Sequence, residues 1–210
     1  ILHCHSTFAL GGKEARAVRL MNVFGDAAHH TILSAMPDQM GARDAIDAGV
    51  TVDFPTDAPS LQGKPAPARY REIARYMAQF DLVLTYNWGA MDAVGARRLF
   101  PTGCPPLFHH EDGFNADEAE RLNWKRNLFR RLMLPTAAAL IVPSQRLEGI
   151  ARNVWRQPAA RLHRIPNGID TSVYALPPEP GSIPGLVRHE GDIIIGTLAG
   201  LRTVKNLPRL

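Results

Sequence analysis

The residues with most chemical potential lie in Phe108-His109-His110-Glu111-Asp112-Gly113-Phe114, where four ionisable side chains follow an apolar run. Loops at the carboxyl ends of parallel strands face the ligand crevice of an open α/β sheet, so His109, His110 and Asp112 there are candidates for acid/base work. A surface loop carrying helix-capping acids is the purely structural alternative. His3-Cys4-His5 places two imidazoles on one strand face, because side chains two apart in a strand point the same way. With His109, His110, Glu111 and Asp112 as further ligands, such a pair would suit a metal-dependent hydrolase. Otherwise His3 and His5 are strand residues flanking a cleft. Between Ser6 and Lys13, Gly11 and Gly12 let a backbone approach a ligand closely, and the helix start that follows favours an anion. The pair fits neither the dinucleotide fingerprint nor the Walker sequence, and a tight turn explains it equally well.

Asp117, Glu118 and Glu120 precede Lys125, Arg126, Arg130 and Arg131, the order a helix dipole favours. In such a helix Arg121/Lys125 and Arg126/Arg130 form two ridges beside Leu122, Phe129 and Met133. That pattern fits core packing with a basic rim, or lipid headgroups and phosphates met by long basic side chains.

Positioning these groups requires a sheet, and short β-branched runs alternating with helical periods give the βαβ pattern of a Rossmann-like parallel sheet flanked by helices. Strands are expected at 1–5, 31–36, 50–54, 82–86, 106–110, 138–143 and 162–166, and helices near 13–24, 67–80, 90–99, 116–134 and 145–155. Asn115 with Glu118 makes a capping box, and Ser144 caps the helix holding Leu147 and Ile150. Prolines between Ala175 and Pro184 allow neither a helix nor an inner strand, and beyond them Ile193-Ile-Ile195 reads as a buried strand followed by a glycine turn. The organisation expected is one domain over 1–175, a linker over 176–190 and the start of a second domain over 191–210.

At 210 residues and 45% hydrophobic, the chain can bury a sizeable core. A net charge of +4 suits anionic partners, and no aromatic and basic pattern of a nucleic-acid platform accompanies it. Cys4 and Cys104 lack metal-ligand spacing and read as free thiols of a reducing, cytoplasmic compartment. There is no apolar run of membrane-spanning length and no signal peptide.

Arg164-Ile-Pro-Asn-Gly-Ile-Asp-Thr-Ser-Val-Tyr174, following a strand, resembles the end of the N-terminal domain in family four glycosyltransferases of the GT-B fold. Other parts agree in order: the Gly11-Gly12 loop, Leu84-Thr-Tyr-Asn-Trp-Gly-Ala90, Glu111-Asp-Gly113, Ile141-Val-Pro-Ser144, and Gly196-Thr-Leu-Ala-Gly-Leu-Arg-Thr-Val-Lys-Asn-Leu207. The resemblance implies retaining transfer of a sugar from a nucleotide-diphosphate donor to a glycan or lipid-linked acceptor, without a metal or organic cofactor. It implies acceptor contacts from the N-terminal domain, with Asn87 and Trp88 in that role, while the basic ridges over Arg121–Arg130 suggest peripheral contact with a membrane face. Gly11 and Gly12 match the family's glycine loop near the diphosphate, and Lys205 matches its neutralising cation. Two positions depart from the family: Gly200 stands where it usually has arginine, leaving Arg202 as the second cation, and Asp112 stands where it commonly has histidine. Asp112, His109 or His110 then takes the polar role beside acceptor and sugar. The acidic pair that grips the donor would lie beyond Leu210, so the segment is expected to be inactive alone.

Overall fold

The computed structural model describes residues 1–114, 118, 122–177, 179, 181–187, 189–197 and 206–209. The chain divides into two compact units, Ile1–Asn167 and Gly168–Leu210. In the first unit the strands are β1 (Leu2–His5), β2 (His30–Ser34), β3 (Val52–Asp53), β4 (Val83–Tyr86), β5 (Leu107–His110), β6 (Ala139–Val142) and β7 (Leu162–Arg164). They form one sheet in the order β3-β2-β1-β4-β5-β6-β7, with every pairing parallel. Helices α1 (Gly12–Phe24), α2 (Pro67–Met77), α3 (Met91–Leu99), α4 (Trp124–Met133) and α5 (Gln145–Asn153) connect and cover them. This is the Rossmann-like α/β architecture expected from the alternating pattern.

The chain winds outward from β1 to β3, then returns to place β4 on the other side of β1. Between β1 and β4 lies the topological switch point, where the loops at the carboxyl ends diverge and open a crevice. Period-two alternation gives the two sheet faces different contents. Leu2, Cys4, Val83 and Leu107 point into the main core with Tyr70, Ile73 and Met77 of α2 and Val94 of α3. Ile32 packs with Val18 and Met21 of α1, and Leu84 and Tyr86 pack with Ala17 of the same helix.

Several boundaries shift for local reasons. Strand β2 ends before Pro37, which has no N–H to continue a ladder. Strand β3 keeps only two residues before Pro55. The helix expected over 116–134 begins at Trp124, because the Asn123 side chain accepts from the backbone N–H groups of Lys125 and Arg126. Asn115 of the expected capping box lies outside the described residues. Ser144 does cap α5, accepting from the Leu147 N–H at 3.2 Å.

In the second unit, α6 (Thr171–Tyr174) starts at Asp170, whose carboxylate accepts from the Ser172 N–H. The strand expected at 193–195 does not form: Ile193 and Ile195 are exposed and carry no ladder. A parallel strand needs a neighbour to hydrogen bond with, and none occurs among the described residues of this unit.

Candidate active site at the switch point

Asn87 directly follows β4 with φ of +56°, a left-handed conformation that asparagine tolerates better than most residues. Its N–H donates to the His110 carbonyl at 2.8 Å, and its Oδ1 accepts from the Asp112 N–H at 2.7 Å. Asn87 therefore binds the loop after β4 to the loop after β5 through its backbone N–H and its side-chain oxygen. Asp112, so fixed, faces Arg16 of α1: Nη1 reaches Oδ1 at 2.5 Å and Nη2 reaches Oδ2 at 2.9 Å, a bidentate pair. Arg16 Nη1 also donates to Asn167 Oδ1 at 2.8 Å, and Nη2 lies 3.4 Å from His110 Nδ1. One guanidinium thus joins α1 to the loops after β5 and β7. Arg16 was missing from the sequence candidates, although it stands one helical turn beyond Gly12 and so shares its face.

Neighbouring histidines of β5 go to opposite faces. His110 stacks on Tyr86 with ring centroids 4.9 Å apart, on the face that carries His3 and His5. Because guanidinium only donates, His110 Nδ1 must act as the acceptor toward Arg16. Burial, and then the Arg16 charge, lower the His110 pKa to about 3, so its ring is neutral near pH 7. His109 is fully buried on the other face, with Nδ1 2.8 Å from Thr85 Oγ1 and Nε2 3.6 Å from Glu111. The fold thus brings His110 to Asp112 and turns His109 away from them.

His3 and His5 do share a face, as the spacing requires. His3 Nδ1 meets the Tyr86 hydroxyl at 3.1 Å and its Nε2 meets His30 Nδ1 at 3.0 Å, while the His5 ring lies 4.2 Å from that of Tyr86. Of the further ligands named in the metal-hydrolase reading, His110 lies on this face with the pair, while His109 lies on the other. No group of three or more His, Cys, Asp or Glu among the described residues is arranged to hold a metal ion.

Gly11 is the N-cap of α1, and a Cβ there would come within 2.9 Å of Glu14 Oε2. Glu14 is buried, pairs with Lys13 and accepts from Thr7 Oγ1 at 3.4 Å. The helix start expected to favour an external anion already holds this internal carboxylate, compensated by Lys13. A Cβ at Gly12 would meet nothing within 4 Å, so the loop is open on that side.

Beside these loops runs a cleft of about 720 Å³ lined by Ser6, Tyr70, Trp88, Asp92, Lys125 and Arg126 among others. Trp88 stands edge-on to Phe129 at 5.6 Å, with the Arg126 and Arg130 guanidiniums 5.2 and 5.0 Å from its ring. Asp92 accepts from Arg69 at 2.7 Å and from the Tyr70 hydroxyl at 3.0 Å. The cleft floor depends on Gly89: a Cβ there would fall 2.1 Å from Ser6 Cβ and 3.0 Å from its Cα. Gly89→Ala must therefore push the loops after β1 and β4 apart, and a loss of about 1–3 kcal/mol in urea denaturation is expected from the overpacking. An unchanged denaturation midpoint would show that the two loops separate freely.

The basic helix departs most from expectation. Arg130, assigned to an outer ridge, is fully buried, and Arg126 pairs with Glu118 at 2.9 Å. Arg202 and Lys205 lie outside the described residues. No helix among the described residues is long and apolar enough to cross a membrane.

A family model described as Glycosyltransferase Family 4 matches residues 10–173. No curated protein matches the chain. Among solved structures, a sucrose-phosphate synthase from Thermosynechococcus elongatus is similar, with 17% identity over 83% of this chain and 93% of that chain and a TM-score of 0.46.

Proposed function

This chain belongs to glycosyltransferase family 4, and on that premise we propose that it moves a sugar from a nucleotide-diphosphate donor to a glycan or lipid-linked acceptor, with retained anomeric configuration and no metal. The observation that carries this reading is the Arg16–Asp112 pair, fixed by Asn87 and Asn167 at the switch point of the sheet. In the transfer, the acceptor oxygen bonds the anomeric carbon as the bond from that carbon to the diphosphate oxygen breaks, and the acceptor's proton passes to the departing diphosphate. Charge then builds on the departing diphosphate. A cation that neutralises this charge lowers the barrier, and we assign the part to Arg202 and Lys205.

Asp112 presents a carboxylate whose position is set by a bidentate partner, suited to orienting a sugar or acceptor hydroxyl. His110, neutral and against the same guanidinium, supports that arrangement. Trp88 and the cleft it lines offer an aromatic face to the acceptor.

The test is release of nucleoside diphosphate by the full-length protein from a panel of nucleotide-diphosphate sugars, with product anomers read by NMR. At least one donor is expected to turn over, and Asp112→Ala is expected to reduce turnover roughly 100-fold at unchanged urea midpoint. Wild-type turnover in Asp112→Ala would remove this residue from the site, and an inverted product anomer would refute retention.

A further inference from the structure

Helix α4 has two apolar faces. Phe129 of one face packs against Trp88, and Arg130 beside it is internal. On the other face Trp124, Leu128 and Leu132 follow at intervals of four residues and are 67%, 47% and 53% exposed. Residues four apart lie one above another on a helix, so these three make a continuous open stripe. Its borders are basic: Lys125 and Arg131, both exposed, fall on either side of it. The helix contains Lys125, Arg126, Arg130 and Arg131 and no acidic residue.

We propose that this stripe docks α4 on an anionic lipid surface, lying in the plane of the headgroups. Tryptophan and leucine enter the boundary between headgroups and acyl chains, while lysine and arginine at the edges reach lipid phosphates. A second copy of the chain fits the same face poorly. A twofold contact would set the Lys125 and Arg131 side chains of one copy against those of the other with no carboxylate from α4 between them. The residues differ from those the sequence pattern suggests, because Leu122, Phe129 and Met133 are half-buried and Arg130 is internal. Since Lys125, Arg126 and Phe129 also line the cleft, docking would bring the cleft mouth to headgroup level. Docking through α4 stands whatever group the cleft transfers.

The test is co-sedimentation of the full-length protein with vesicles of phosphatidylcholine alone or mixed with phosphatidylglycerol. Association with the mixed vesicles is expected to be roughly tenfold tighter or more, and to weaken as salt rises. Combined Trp124→Ser, Leu128→Gln and Leu132→Gln should reduce it roughly tenfold or more. Leu20→Gln with Val23→Gln, on the exposed side of α1, should leave it unchanged. Urea midpoints matching the parent protein would show that both variants fold. No association, equal association with both vesicle types, or undiminished association of the α4 variant would overturn the proposal. So would a dimer in solution that the α4 substitutions abolish without any vesicle binding.

Discussion

Acidification from pH 7 to pH 5 is expected to remove about 4 kcal/mol of folding stability through His3 and His110, about 2 kcal/mol from each, with a further loss through His5. Burial lowers the pKa of His3 to about 3, helped by the neighbouring His30 charge, and lowers His110 to about 3, helped by Arg16. Burial also drives His5 well below its ordinary value, with Lys13 the next cause. In the unfolded chain each ring takes a proton as pH falls below about 6.5, whereas in the folded chain His3 and His110 stay neutral down to about 3 and His5 resists protonation well below its ordinary value. The unfolded state therefore binds more protons throughout that window. Stability is full above pH 6.5 and is lost progressively as pH falls toward 3. Typical domains have only about 5–15 kcal/mol in total, so the first unit should unfold between roughly pH 5 and pH 4. His5 offers the sharpest check: neither ring nitrogen has a hydrogen-bond partner among the described residues, and the ring packs between Tyr86 and Phe8. His5→Phe should hold stability near pH 7 and reduce the acid loss, measured as urea midpoints at pH 7, 6 and 5. Equal midpoints across that range in the parent protein would contradict neutral, buried rings.

The acid-labile histidines also mark how far sequence alone can be read. The seven strands of the sheet are visible as apolar runs, and their ends fail only where proline or a short edge pairing intervenes, as at Pro37 and Val52–Asp53. Period-two alternation puts His109 and His110 on opposite faces, yet the sequence offers both as candidates, because the face that opens on the crevice depends on which helix covers it. Arg16 escaped notice because nothing local marks it. Its partners Asp112 and Asn167 stand 96 and 151 residues away in sequence. The basic ridges of α4 failed for the converse reason. Helical periodicity puts Arg126 and Arg130 side by side, but only tertiary packing turns Arg130 inward and leaves Trp124 in solvent.

That inward arginine carries the second large effect: Arg130→Met is expected to cost about 3–5 kcal/mol, the range found when one member of a buried ion pair is removed. Arg130 Nε donates to Glu111 Oε2 at 2.9 Å, and its Nη1 lies 3.5 Å from Glu118 Oε1. Its guanidinium sits 5.0 Å from the Trp88 and Trp155 ring centroids and 5.5 Å from that of Phe114. Methionine fills much of the same volume but leaves Glu111 without its cation in a site closed to water. Glu118 would keep its contacts with the Asn123 N–H and Arg126. Arg130→Lys should recover little, since an ammonium cannot keep the planar stacking among three rings while reaching Glu111. Adding Glu111→Gln to Arg130→Met should restore part of the loss, because the uncompensated carboxylate, more than the missing attraction, is the main cost. A double-mutant cycle in urea measures this directly. A loss under about 1 kcal/mol for Arg130→Met alone would mean that water or a neighbouring group already solvates Glu111. If the larger loss is found, α4 holds the residue immediately before Asp112, and the stability of the crevice loop and the seating of that helix are one quantity.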